Sequence, residues 1–293
     1  MADAKPVRTI HDIPGWFSWT DQQMFRHLLG PAAPDEPGDL VELGVYLGKS
    51  AAFMGEFQRP GERFVVCDLF NGESDTSNKI ENARSYRNLT REEFENNYRA
   101  VRGGLPEIVQ GLSSTITEHV KPGSARFVHI DASHLYEHVV IDIESALTML
   151  GPGGVAVFDD FRHPHTPGVA AAVWAAVGAG RLHPFCLTES KLYAVAGDPN
   201  SVRDGLQAWL IKFGRLLWES QWIAGYEVLR VAPPRSSPPA TTAELEELIR
   251  GMGKKLTRLE KQVASLNRQL AQSLPRRVQK SVLRRVAALR NQR

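Results

Sequence analysis

Of four short apolar runs in this chain, three end at aspartates and one at a glycine turn, and those endings constrain the fold more than any other feature. Residues 39–45 (DLVELGV) enter a glycine turn, 63–69 (RFVVCDL) and 125–131 (ARFVHID) close on an aspartate, and 155–160 (VAVFDD) closes on two. Runs of this length without polar alternation read as strands buried on both faces. Helical segments separate them: 50–57, the stretch after Asp131 as far as Leu150, and 169–178. A helix at 20–29 precedes them. A hairpin (184–187 and 191–196, turning at Glu189-Ser190), an amphipathic helix and a last strand at 226–231 follow. The amphipathic helix carries Leu206, Trp209, Leu210, Phe213 and Leu217 on one side. Strands alternating with helices predict an α/β sheet with helices on both faces. In such sheets ligands meet the carboxyl ends of the strands, near the point where strand order reverses.

Composition narrows the classes. The 293 residues are 42% hydrophobic, enough for a core and too much for wholesale disorder. The longest small or apolar run, 169–180, falls short of the roughly 20 residues a membrane span needs. Residues 1–17 show no apolar secretion segment, and two cysteines, Cys67 and Cys186, exclude a disulfide scaffold or a zinc ribbon. A cytoplasmic protein is the expectation.

The glycine turn at Glu42-Leu43-Gly44-Val45-Tyr46-Leu47-Gly48-Lys49-Ser50 opens a helix, where free N–H groups and close backbone approach suit a ligand. Three readings compete. A dinucleotide fingerprint wants GxGxxG and finds GxxxG. A P-loop wants GxxxxGK[ST], and the run to Gly48-Lys49-Ser50 is one residue short, which removes part of the phosphate-cradling nest. An S-adenosylmethionine site wants an acid before the turn and another at the end of the next strand, roles that Glu42 and Asp68 suit. A tight turn with no ligand is the plain alternative. Ser113, in Gln110-Gly111-Leu112-Ser113-Ser114, is the choice for an adenine contact or else a helix cap.

The other strand ends carry His129-Ile130-Asp131-Ala132-Ser133-His134 and Phe158-Asp159-Asp160-Phe161. Carboxylates closing apolar strands are costly unless solvated, paired or bound to a cation. If the strands are neighbours, Asp131, Asp159 and Asp160 converge, and an all-oxygen set favours Mg²⁺ or another hard divalent cation. The alternative is that some of them cap helices or meet arginine. His134 can take a proton from a hydroxyl near neutral pH. His163 and His165 are rival bases, His138 lies one turn beyond His134, and Asp142 and Glu144 read as surface or supporting groups.

VELGVYLGKSA, VVCDLF, HIDASHLYEHVVIDIESALTMLGPGGVAVFDDF and PGVAAAV, in this order and spacing, resemble methyltransferase family 24 of the class I methyltransferases. They are also similar to the macrocin-type sugar O-methyltransferases. The similarity spans residues 39–196, and Ile13-Pro14-Gly15-Trp16 matches the group's leader. It implies a Rossmann-like seven-stranded sheet, S-adenosylmethionine as donor, and a divalent metal gripping substrate hydroxyls. It further implies Asp131, Asp159 and Asp160 as metal ligands and His134, with Asp131, as the catalytic pair. The cofactor would be held by Glu42, Gly44, Gly48, Ser50, Asp68, Ser113 and Trp16, with Trp16 and Phe17 roofing the pocket. The acceptor would be a sugar hydroxyl of a glycan, glycolipid or glycosylated metabolite. A P-loop-like nucleotide hydrolase and a non-catalytic coiled-coil scaffold are the alternatives.

The chain divides by composition into a leader or cap (1–37), the main domain (38–232, with a lid insert at 71–110), a Pro-rich linker (233–241), a coiled coil (242–274) and a basic amphipathic helix (275–293). Leu245, Ile249, Met252, Leu256, Leu259, Val263, Leu266 and Leu270 alternate spacings of four and three, the heptad pattern of a coiled coil and so of a homo-oligomer. Residues 276–293 hold seven basic residues and no acid, so the formal charge of +2 leaves −5 for the rest. The body carries no nucleic-acid footprint; the tail suits an anionic membrane surface, with a peripheral place on the inner face of the cell membrane, or else is a solvated basic end or an RNA-binding arm.

Overall fold

The computed structural model describes residues 7–31, 37–70, 89–234, 253, 256–259 and 261–266. Met1–Pro234 and Arg235–Arg293 are separate compact units. The first contains, in chain order, α1 (Trp19–Leu29), β1 (Asp39–Leu43), α2 (Lys49–Met54), β2 (Phe64–Asp68), α3 (Arg91–Arg102), β3 (Glu107–Gln110), β4 (Ala125–Ile130), α4 (Tyr136–Met149), β5 (Leu150–Phe158), α5 (Pro167–Gly178), β6 (His183–Leu187), β7 (Leu192–Val195), α6 (Asn200–Phe213), β8 (Leu217–Ile223) and β9 (Tyr226–Ala232).

The strands form one sheet in the order β3-β2-β1-β4-β5-β7-β6-β9-β8. β1 pairs in parallel with β2 and with β4, β2 with β3, and β4 with β5. β7 is antiparallel to both β5 and β6. Strand order reverses between β1 and β4, which opens a crevice at their carboxyl ends. Every residue of β1 is buried, as a parallel strand covered on both faces requires. Two apolar clusters cover the faces. One packs α1, α2, α3 and α6 against Leu40, Phe127 and Val157, and the other packs α4 and α5 against Val41, Val128 and Phe158.

The sheet has nine strands rather than seven, because β9 adds in parallel to β6 and β8 folds back on β9. Leu217, read from sequence as part of the amphipathic helix, belongs to β8. Gly214 adopts φ 61°, its N–H closes on the Leu210 carbonyl, and α6 stops there. The turn between β8 and β9 uses Ala224 and Gly225 at φ 51° and 86°, the two left-handed residues of a tight hairpin.

Residues 89–110, expected within a lid, instead complete the crossover from β2 to β3. Thr90 caps α3, whose Phe94 and Tyr98 are buried in the core, and β3 joins the sheet edge. Residues 71–88 of that insert lie outside the described residues, as do 235–241 of the linker, much of the 242–274 segment and all of 275–293. In the second unit, residues 253, 256–259 and 261–266 are helical, and Leu256, Leu259, Val263 and Leu266 are exposed. Among the described residues no helix is long and apolar enough to cross a membrane.

Candidate active site

A cavity of about 930 Å³ opens at the carboxyl ends of β1, β2, β4 and β5. Its size suits a nucleoside-sized cofactor with a small acceptor. Four non-glycine residues among those described hold positive φ, and three of them, Tyr46 (49°), Phe70 (49°) and Asp160 (52°), line this cavity. Each such residue costs about 1–3 kcal/mol, a strain that clusters at functional sites.

At one end, the loop after β1 meets the end of β2. Asp68 Oδ2 accepts the N–H groups of Val45 (2.8 Å) and Tyr46 (3.1 Å), while Oδ1 accepts that of Phe70 (2.8 Å). Burial pushes the Asp68 carboxyl up, and these backbone donors pull it back. The acid thus locks both loops in shape. Gly44 (φ 78°) is required by a close approach, since a Cβ there would fall 2.0 Å from the Asp131 carbonyl oxygen. Lys49 Nζ donates to the Gly15 carbonyl (2.8 Å), tying the leader to α2. A phosphate-binding lysine would leave that ammonium for the ligand, so the P-loop reading loses its central group.

At the other end lie the acids. Asp131 follows β4 and Asp159-Asp160 follow β5, and the β4–β5 register, which pairs Ile130 with Phe158, brings them together. One potential metal-holding group is Asp131, His134 and Asp160, and a second is His129, Asp131 and Asp159; ligand atoms within each lie inside 4.8 Å of one another. Two carboxylates at that separation repel by about 3.5 kcal/mol at an effective dielectric of about 20. Burial, then the charges of Asp159 and Asp160, hold the Asp131 carboxyl well above the ordinary range. Burial acts upward on Asp160 too, but His134, at 3.0 Å between Nε2 and Oδ2, outweighs it together with His163 and Lys191 and leaves it lowered. Crowded oxygens backed by an imidazole are a donor set that fits a hard divalent cation.

Beneath the acids runs a row of buried polar groups. Residues directly opposite across the sheet are Glu42, His129, Val157 and Tyr193. Glu42 Oε1 lies 2.8 Å from His129 Nδ1, and His129 Nε2 lies 3.2 Å from Lys191 Nζ. The Lys191 ammonium bonds Asp159 Oδ2. Burial lowers the His129 pKa and the Lys191 charge lowers it further, so the ring is neutral. Burial also acts downward on Lys191, but Asp159, Asp21 and Asp131 outweigh it and raise its pKa. Asp21 of α1 accepts the Thr188 hydroxyl (2.7 Å), the Tyr193 hydroxyl (2.7 Å) and the Ser190 hydroxyl (3.3 Å).

Of the residues expected from sequence, Trp16, Gly44, Ser50, Asp68, Ser113, Asp131, His134, Asp159 and Asp160 line the cavity, as do Phe17, His138, His163 and His165. Glu42 and Gly48 do not. Glu42 is wholly buried because its alternation along β1 turns it, like Leu40, to the α1 face. Gly48 faces Phe94, whose ring a Cβ would meet at 2.9 Å. Sequence reasoning missed Lys191, Asp21 and the pairing of His129 with Glu42. The signal for Lys191 was a charged residue flanking an apolar strand next to a tight turn, a pattern that surface hairpins share.

The sequence profile of methyltransferase family 24, described as a methyltransferase domain, matches residues 41–161. A search among curated proteins found no match. Similar solved structures include the calicheamicin methyltransferase CalS11 (20% identical, TM-score 0.45, covering 61% of this chain and 79% of that one) and the O-methyltransferase NovP (19%, 0.47, 60% and 78%). A third is an O-methyltransferase from Bacillus cereus in complex with SAH (18%, 0.40, 63% and 85%). The family profile runs from β1 to the residue after Asp160, over the strand ends that build the cavity; residues 41–161 are a methyltransferase domain, and the chain that carries it is a methyltransferase.

Proposed function

We propose that this methyltransferase uses S-adenosylmethionine and, assisted by a divalent cation, methylates a sugar hydroxyl. The carrying observation is that one cavity joins the loop locked by Asp68 to the cluster of Asp131, Asp159, Asp160 and His134. A donor bound at the Gly44, Ser50, Asp68 and Ser113 end would supply an electrophilic methyl group. A cation held by the acids would make the acceptor hydroxyl more acidic and orient it. The exposed Trp16 ring, 5.9 Å from Tyr46 at the cavity wall, offers an aromatic face to a sugar ring.

The chain's own residues then perform the proton transfer. His134, whose Nε2 lies 3.0 Å from Asp160 Oδ2, is the group that would take the hydroxyl proton. Asp160 is fixed in turn, because Thr166 Oγ1 donates to its carbonyl at 2.8 Å. Alignment of acceptor with donor supplies much of the rate, up to roughly 7–11 kcal/mol in favourable systems.

Calorimetry with S-adenosylmethionine and with ATP separates this reading from a nucleotide hydrolase: the former binds and the latter does not. His134→Gln is expected to keep donor binding and to lose roughly 10²–10⁴-fold in kcat on a methyl-accepting glycan, measured with radiolabelled donor. Unchanged turnover removes His134 from the mechanism.

A further inference from the structure

Building on the metal-assisted reading above, we propose that Lys191 is the resident counter-cation of the carboxylate cluster. It claims Asp159 and leaves Asp131 and Asp160 as the carboxylates that seat the divalent ion. Asp159 has no oxygen without an internal partner: Oδ2 takes the Lys191 ammonium and Oδ1 takes the N–H of Asp160 at 2.7 Å. The placement follows from topology. β7 runs antiparallel to β5, and its first residue, Leu192, stands opposite the last of β5, Phe158. The residue before one strand therefore meets the residue after the other, Lys191 against Asp159.

The ammonium is held in this position. Lys191 lines the cavity yet is only 1% exposed, and its Nζ lies 3.2 Å from His129 Nε2 and 5.7 Å from the centre of the Phe17 ring. A divalent ion seated on Asp159 Oδ2 would share one oxygen with a fixed positive charge. Lys191 acts on Asp160 only at longer range; among the described residues the cationic or imidazole groups in contact with its carboxylate are His134 and, at 3.6 Å, His163. Lys191 is thus a positioning residue: it neutralises one acid of three and sets where the cation sits.

The test uses Mn²⁺ as the probe, titrated into the full chain by calorimetry and by loss of the free-ion electron paramagnetic resonance signal, with no turnover required. The charge-balanced pair Asp159→Asn with Lys191→Met removes the internal ion pair without stranding either partner. It is expected to bind Mn²⁺ within threefold of the unaltered protein, whereas Asp160→Asn loses tenfold or more. Lys191→Met alone, if it folds, releases Asp159 and binds at least tenfold more tightly, and Lys191→Arg returns toward the original affinity. A tenfold loss in the double variant overturns the inference alone, because Asp159 is then a ligand. An unaltered protein that takes up no Mn²⁺ overturns this inference together with the metal-assisted reading, while donor binding by calorimetry stands apart from both.

Discussion

Asp142 of α4 carries a wholly buried carboxyl, and burial pushes its pKa up to about 6, with the Ser113 hydroxyl and the His138 charge pulling the other way. The folded protein therefore binds a proton that the unfolded chain has released between about pH 4 and pH 6. Stability falls as pH rises through that window, by about 3 kcal/mol for a shift of roughly two units. Asp142→Asn has no such titration. Its stability relative to the unaltered protein is expected to improve by about 2–3 kcal/mol between pH 4 and pH 7, read by urea unfolding at each pH; a flat difference refutes the account. Asp142 read from sequence as a surface or supporting group because periodicity places it on a helix but does not show which neighbours cover that helix. Asp131, Asp159 and Asp160 were legible for the opposite reason. Each directly ends an apolar run, and a parallel sheet aligns such ends.

At the scale of elements, the turn from β1 to α2 is held by contact with β4. Gly44 meets the Asp131 backbone so closely that a methyl group would overlap it, and its φ of 78° is itself unfavourable for other residues. Gly44→Ala is expected to cost about 2–5 kcal/mol, overpacking and left-handed strain together. Gly61→Ala, at φ 85° with nothing within 4 Å, should cost only about 1–2 kcal/mol. Thermal or chemical unfolding of the two variants checks the difference, and equal losses would show that conformation rather than contact sets the need for glycine. The sequence marks this turn as a place of close approach to a cofactor; the structure adds the backbone that follows β4 as a group packed against Gly44, which also lines the cavity. β3 and β8 were not legible. Both are edge strands with exposed positions, EIVQ and LWESQWI, so neither shows the unbroken apolar run that revealed β1, β2, β4 and β5.

For the whole molecule, the second unit bears on assembly. Its described helical residues expose Leu256, Leu259, Val263 and Leu266 at 55–63%, along the same three-and-four spacing that continues in sequence from Leu245 to Leu270. An apolar stripe of that period is covered in a coiled coil by another copy. We propose self-association through it. Light scattering after size exclusion is expected to give a multiple of the 32.5 kDa chain mass, and Leu259→Asp with Leu266→Asp is expected to give the monomer. A monomeric unaltered chain would end that proposal.

The amino-acid sequence alone determined the alternation of strand and helix, the acids at the strand ends and the heptad stripe, because each is written in spacing along one segment. Tertiary structure decided everything that depends on which segments become neighbours. It turned Glu42 inward to His129, placed Lys191 against Asp159, docked α1 through Asp21, and added β8 and β9 to the sheet. A charge buried by folding takes its partner from across the sheet, and the distance along the chain between Glu42 and His129, or between Asp159 and Lys191, carries no trace of that meeting.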